Sequence, residues 1–323
     1  MVLQELVTLF VFVFVLSKSS SLVVENAVKL AKFFGISQLA IGLLLIAVAT
    51  SLPELSVSVV SSVANEGAIA AGNVFGSNIA NILLVLGIGA IVYGFKVSRK
   101  NLSDIAIALV LTTLISTYIL FHSQISGNAL GFYEGLLLLA IAIWYAFRVL
   151  GKKRIEEMPE KGKISMHEGF RAFLFFAAGI VLVMVSSNFV VSSAVKLSDL
   201  LGLTKSFIGA TLIAIGTSLP ELSIDLQALR KKQYGLALGD ALGSNIINLT
   251  LVLGTAALIS PITVQLKVFV AALLFAVVAN MVFLYISVVK GKFERKDGAI
   301  MVVFYVIYLA LIFFLQIGEA QFA

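Results

Sequence analysis

Cysteine is absent from the chain, so there is no disulfide, no thiol chemistry and no thiolate for a metal. Histidine occurs twice, as His122 and His167, both near predicted segment ends; a histidine metal site is not expected. Charge is also scarce. Asp, Glu, Lys and Arg make up 12% of the 323 residues, half of the roughly 25% usual in a soluble domain. That deficit excludes a soluble enzyme, a disordered chain and a nucleic-acid binder, even though the net charge is +6. Proline occurs only four times.

What fills the chain is apolar: 60% of residues are hydrophobic and mean hydropathy is +1.08. A bilayer core is crossed by about 20 apolar residues in a helix. Such stretches fall at roughly 3–31, 38–64, 68–94, 102–121, 129–149, 167–196, 205–229, 235–258, 263–289 and 297–317, which predicts ten spans. The runs are continuous and do not alternate, which argues against membrane strands. The start Met1-Val-Leu-Gln-Glu5 is not basic, and the apolar stretch after it is too long for a signal peptide; we read it as the first span.

The few charges are not scattered. The odd-numbered boundaries carry Lys29 and Lys32, then Lys96, Arg99 and Lys100. The third runs from Arg148 to Lys163 with Arg171 beside it, the fourth is Arg230 to Lys232, and the last is Lys290 to Lys296. The even-numbered boundaries are almost bare. Basic residues collect on the cytoplasmic side, so a cell-membrane protein with both termini outside is expected.

The sequence also repeats itself. Thr50-Ser-Leu-Pro-Glu54-Leu-Ser56 returns 167 residues later as Thr217-Ser-Leu-Pro-Glu221-Leu-Ser223. Gly76-Ser-Asn-Ile79 and Asn81 return as Gly243-Ser-Asn-Ile246 and Asn248, and Leu84-Val-Leu-Gly87 returns as Leu251-Val-Leu-Gly254. The chain is therefore a duplication: a first five-helix repeat over 1–149, a short cytoplasmic loop over 150–166 and a second five-helix repeat over 167–323. An odd number of spans per copy inserts the second from the opposite side. The predicted fold is an all-α membrane protein of ten helices in two inverted repeats, with the site where the repeats meet at the midplane.

The repeated segments are the most polar ones inside the membrane. Pro53 cannot donate to the Ala49 carbonyl, and Pro220 cannot donate to Gly216, so the second and seventh helices are predicted to break. A break at membrane depth is tolerated where it lines a cavity, and freed carbonyls suit hard cations. Glu54 and Glu221 follow the breaks directly, and an acid at that depth marks an ion pathway. Ala47, Thr50 and Glu54 share one helical face, as do Ala214, Thr217 and Glu221. The next helix brings Asn73, Ser77 and Asn81, and its copy brings Asp240, Ser244 and Asn248. Together they form an all-oxygen set fit for Ca²⁺ or Na⁺.

These motifs, in this order on ten spans, resemble the sodium/calcium exchangers of the calcium/cation antiporter superfamily, most of all the compact prokaryotic members. The resemblance covers essentially the whole chain. It implies electrogenic exchange of three Na⁺ for one Ca²⁺ by alternating access, with no cofactor, in a protein functional as a monomer among membrane lipids. Carried over by position, Glu54 and Glu221 would bridge Ca²⁺ with help from Thr50 and Thr217. Ala47, Ser51 and Ser77 would hold Na⁺ with Glu54; Ala214, Ser218 and Ser244 would hold another with Glu221. Asn81 and Asn248 would close the middle. Asn248 stands where K⁺-dependent relatives carry aspartate, which argues against K⁺ dependence.

Asp225 and Asp240 replace the Ser58 and Asn73 of the first copy. They are expected either to draw cations to the inner mouth or to pair with Arg230 or Lys231. Lys18, inside the first span, is expected to contact a carboxylate or water path or to snorkel, and the Phe-rich face at 9–14 to meet lipid. A proton-coupled Ca²⁺ antiporter on the same scaffold ranks second, since that branch begins its motif Gly-Asn where this chain has Thr-Ser-Leu-Pro. An intramembrane hydrolase is remote, because the repeats place no Arg or His beside their acids.

Overall fold

The computed structural model describes residues 2–65, 67–126, 130–151, 164–200, 216, 218–262 and 266–320. The first copy contains α1 (Val2–Phe34), α2 (Gln38–Ile41), α3 (Ala47–Thr50), α4 (Leu52–Val63), α5 (Gly67–Ile79), α6 (Leu86–Val92), α7 (Leu102–Ser126) and α8 (Phe132–Gly151). The second contains α9 (Met166–Leu200), α10 (Leu219–Arg230), α11 (Tyr234–Ile247), α12 (Leu253–Ile259), α13 (Leu266–Val289) and α14 (Arg295–Ala320). Turns of π-helix at Gly42–Ile46, Ala80–Val85 and Asn248–Val252 join α2 to α3, α5 to α6 and α11 to α12.

Local chemistry sets the helix ends. Gly35 adopts φ +67, which lets Ile36 N–H bond back to the Ala31 carbonyl at 3.1 Å and closes α1. Ser37 Oγ then accepts the Ala40 N–H at 3.1 Å and opens α2. At Ser51 the backbone turns to φ −79, ψ 4, and Pro53 enters the first turn of α4, where its missing N–H costs nothing.

Among the described residues, eight helices are long and apolar enough to cross a membrane. The pair Gln38–Thr50 and Leu52–Val63, bent by 44° at the break, makes a ninth. The chain is a multi-pass helical membrane protein. Of the stretch 205–229 expected to form a tenth span, only the C-terminal part, α10, is described.

Ile69–Val92 and Tyr234–Ile259 form the centre, each with 78% of its span window buried. Arg295–Leu315, at 22%, and Gln4–Phe34, at 28%, lie at the periphery. Helix α11 meets α2 and its π turn backbone to backbone: a Cβ on Gly239 would stand 2.5 Å from the Leu39 carbonyl oxygen, and one on Gly243 2.5 Å from that of Leu43. No described residue comes within 4 Å of a Cβ at Gly72 or Gly76. Their partners by the 167 offset, residues 206–214, lie outside the described residues.

Two short pairings join the copies. β1 (Phe95–Lys96) runs antiparallel to β2 (Lys292–Phe293), and Leu130 bridges Ile262. Ile262 is the offset partner of Phe95, so equivalent positions are tied to the other copy each time.

Candidate cation site

The break between α3 and α4 carries the first acid inward. Glu54 is fully buried; its Oε1 accepts from Ser77 Oγ at 3.2 Å, and its Oε2 has no partner. At the break itself, one turn before Glu54, Thr50 Oγ1 lies 3.0 Å from Asp240 Oδ1 and 3.2 Å from Ser244 Oγ, both in α11. The first copy thus touches the second at its most polar point. Ser51 Oγ is buried and unpartnered. The Ala47 carbonyl, assigned to a Na⁺ site from the sequence, keeps its helical bond from Ser51 N at 3.0 Å and lies 3.4 Å from Thr50 Oγ1. A carbonyl has two lone pairs, so any cation would share this oxygen with the helix.

The second copy is similarly built. Pro220 stands in the first turn of α10. Glu221 is 1% exposed and neither of its oxygens has a partner; the same holds for buried Ser218 Oγ. Ala214 and Thr217, assigned to this half from the sequence, lie outside the described residues.

Between the halves sits a clasp of four asparagines. Asn78 Nδ2 donates to the Asn245 backbone carbonyl at 3.1 Å, and Asn245 Nδ2 donates to that of Asn78 at 3.0 Å. Asn81 Nδ2 donates to Asn245 Oδ1 and Asn248 Nδ2 to Asn78 Oδ1, both at 3.1 Å. The offset of 167 turns each bond into its mate. Asn81 and Asn248 lie in the π turns, which shift the helical register where they occur and are frequent at functional sites. Their Oδ1 atoms are buried and unpartnered. Sequence reasoning named Asn81 and Asn248 but assigned nothing to Asn78 and Asn245, although both lie inside the repeated Gly-Ser-Asn-Ile motif.

Asp225 and Asp240 are both fully buried and their carboxyls face each other. Neither pairs with Arg230 or Lys231, so the expected ion pair is not formed. Lys231 instead reaches α1, bonding Glu25 at 2.7 Å and Ser21 Oγ at 2.6 Å. Nor do the two acids stand at an open mouth. Asp240 Oδ1 takes Thr50 and Ser244; its Oδ2 and both oxygens of Asp225 are unpartnered. Lys18 is exposed, its ammonium 5.4 Å from the Phe14 ring centroid. Phe10 and Phe14 are exposed as expected of the lipid face, while Phe12 stacks on Phe189.

Four buried acids therefore share one region. Glu54, Asp225 and Asp240 all lie within electrostatic reach of Glu221. No lysine or arginine pairs with any of them among the described residues. A buried ion without a counter-charge costs several kcal/mol, so this region demands positive charge from elsewhere. Among the described residues, no three His, Asp or Glu side chains form a ready metal centre; the oxygens on offer are mixed carboxyl, amide and hydroxyl.

The model of the sodium/calcium exchanger protein family matches residues 5–151 and 171–314. The chain belongs to that family. The exchanger is 27% identical over 339 residues to the sodium/calcium exchanger MaX1 of Methanosarcina acetivorans, covering 93% of this chain and 96% of MaX1. It is 33% identical over 246 residues to the inner membrane protein YrbG of Escherichia coli K12, covering 72% and 73%. A solved structure of the sodium-calcium exchanger NCX_Mj, soaked with 10 mM Na⁺ and zero Ca²⁺, superposes with a TM-score of 0.79 at 26% identity, over 96% of this chain and 99% of that one. Its relatives are transporters, and this exchanger is one too, not an enzyme.

Proposed function

We propose that this chain is a cell-membrane antiporter that exchanges Na⁺ for Ca²⁺. Ten spans would form two inverted repeats, over 1–149 and 167–323, joined by a short cytoplasmic segment, with both termini outside. Glu54 and Glu221 would hold Ca²⁺ together, with Thr50, Thr217, Asn81 and Asn248 around them. Ala47, Ser51 and Ser77 would complete a Na⁺ site beside Glu54, and Ala214, Ser218 and Ser244 one beside Glu221. A single copy of the chain would suffice.

One observation carries this reading: buried glutamates from both copies stand within electrostatic reach of one another, with unpartnered oxygens and, among the described residues, no basic partner. Ca²⁺ takes 6–8 oxygens, and the mixed set around the glutamates supplies oxygens of the right kind. The same electrostatics couples the two fluxes. An empty cage holds uncompensated buried charge, so closing it around nothing is costly. Closing it around Ca²⁺ or around Na⁺ is not. The carrier then crosses between its open states only when loaded, and one ion must return for the other to leave.

The test is flux into proteoliposomes of the purified chain. An outward Na⁺ gradient should drive ⁴⁵Ca²⁺ uptake. At three Na⁺ per Ca²⁺ one net charge moves per cycle, worth about 2.3 kcal/mol per 100 mV, so an inside-negative potential should change the rate. A second reading, H⁺/Ca²⁺ exchange, is favoured by one feature: the facing Asp225 and Asp240 carboxyls can share a proton. Uptake driven by a pH gradient with no Na⁺ present would select it and overturn Na⁺ coupling.

A further inference from the structure

Asn78 and Asn245 are buried and polar, yet stand outside the proposed ligand set. We propose that they are positioning residues that act across the repeats: Asn78 aims the amide of Asn248, and Asn245 aims the amide of Asn81, so that an oxygen from each copy faces the transported cation. The inference rests on the cage reading above.

Two groups in the clasp have a fixed hydrogen-bonding sense. A backbone carbonyl can only accept. Asn78 Nδ2 lies 3.1 Å from the carbonyl of Asn245, and Asn245 Nδ2 lies 3.0 Å from that of Asn78. Each amide must therefore turn its nitrogen, and not its oxygen, to the opposite backbone. A planar carboxamide then has no further freedom: its oxygen points the other way and can only accept. Those oxygens are the atoms that Asn248 and Asn81 approach, at 3.1 Å in both cases. The two outer amides must turn their nitrogens toward the clasp, which leaves Asn81 Oδ1 and Asn248 Oδ1 buried and without a partner. Held this way each is an acceptor for a hard cation. Flipped, it would present an NH₂ group to the cation and set oxygen against oxygen at the clasp.

The aiming is crossed, because each ligand asparagine is held by the other copy. Asn78 lies three residues before Asn81 in its own helix but bonds Asn248, 170 residues away. A plain interface clasp has no such signature, and this makes the proposal testable by coupling energies. The full chain, purified in detergent, is assayed for ⁴⁵Ca²⁺ binding in Na⁺-free buffer, with melting temperature measured alongside. Removing a group that orients a ligand typically lowers metal affinity by about 10–100-fold, so Asn78→Ala is expected to weaken binding by about tenfold or more.

The double variant Asn78→Ala with Asn248→Ala should bind about as well as Asn248→Ala alone. Asn78→Ala with Asn81→Ala should show both losses multiplied. The Asn245 series should mirror this, coupled to Asn81 and independent of Asn248. Losses that multiply in the 78/248 pair, or coupling within 78/81, would overturn the proposal. So would a lower melting temperature with unchanged affinity, the mark of a merely structural clasp. If Asn78→Ala does not fold, Asn78→Ser keeps a small polar group there and the same cycle is read from it. Absence of Ca²⁺ binding by the unaltered chain would overturn the cage reading itself, before any variant is compared.

Discussion

One turn beyond each glutamate, the two copies of the site part company. In the first, Asn73 Nδ2 lies 3.1 Å from Ser58 Oγ and 3.1 Å from the Glu54 carbonyl, a neutral pair that satisfies itself. In the second, the same two positions are Asp225 and Asp240, which face each other with three unpartnered oxygens. The backbone plan is kept while the charge is not. A hydrogen-bonded amide and hydroxyl are stable in a dry interior; two facing carboxyls need a proton or a cation between them. At these two positions the first copy is thus satisfied without cargo, whereas the second depends on something positive being present.

The largest effect should come where the two halves are alike. Glu54→Gln or Glu221→Gln removes one of the two charges proposed to face Ca²⁺ but keeps the side-chain volume. Either change should lower Na⁺-driven ⁴⁵Ca²⁺ uptake by about 100-fold or more, equal to ~2.7 kcal/mol of lost ion binding or barrier. Similar losses at both positions would fit shared custody of one ion. Near-normal flux in one of them would break the equivalence of the halves at their centre.

A smaller effect should follow from making the halves alike where they differ. The double change Asp225→Ser with Asp240→Asn rebuilds the first copy's neutral pair in the second. A buried polar group left unsatisfied costs about 1–3 kcal/mol, so the ion-free double variant should melt at a higher temperature than the unaltered chain. Saturating Ca²⁺ stabilises any protein that binds it, by about 2.7 kcal/mol at a hundredfold excess over Kd. If Asp225 and Asp240 help to hold the cargo, that ligand-induced gain should shrink in the variant. A variant that melts lower without ions would show that the facing carboxyls already satisfy each other.

What could be read from the sequence followed from residue identity at a fixed offset. Pro53 and Pro220 announced breaks, and the bend at Ser51 stands where Pro53 put it. Glu54, Ser77 and Asn81 stood out as candidates because they are polar, lie inside a membrane span and recur at the fixed offset. What could not be read depends on partners far along the chain or on backbone register. Nothing in the spacing of one copy says that Asn78 bonds Asn248 and not Asn81. The π turns change which carbonyl an amide reaches, and no side chain reports that. Lys231 was placed near Asp225 by proximity in sequence, yet its partner is Glu25, 206 residues away. Gly72 and Gly239 look equivalent in sequence, and only Gly239 has a described backbone packed against it.

The last contrast lies outside the acids, where α1 meets α10. That contact is stitched by polar bonds: Gln227 Nε2 donates to Ser17 Oγ at 2.9 Å, Ser20 and Ser223 hydroxyls lie 2.6 Å apart, and Lys231 holds Ser21 and Glu25. Moved by 167 residues, the stitched positions become Met184, Ser187, Asn188 and Ser192 on α9, and Ser56 and Val60 on α4 with Ala64 just past its end. Ser187 Oγ is buried with no partner, and Ser56 Oγ turns back to the Leu52 carbonyl at 2.9 Å. Among the described residues one contact is fastened while its counterpart is not, so the fastening should bias which side opens. The bias is small. Lys231 and Glu25 are 27% and 57% exposed, and such pairs are worth about 0–1 kcal/mol. The change Lys231→Met keeps the apolar stem and removes the charge. It should loosen the α1–α10 contact by at most about fivefold in population, which is ~1 kcal/mol. The chain has no cysteine, so Ser223→Cys gives a single reporter at the seam, read by its labelling rate with a water-soluble maleimide with and without Lys231→Met. A modest rise in rate would mark the ion pair as part of the latch. An unchanged rate would mean that the packing of α1 on α10 holds this side shut by itself, and that the asymmetry between the two contacts lies in their apolar surfaces.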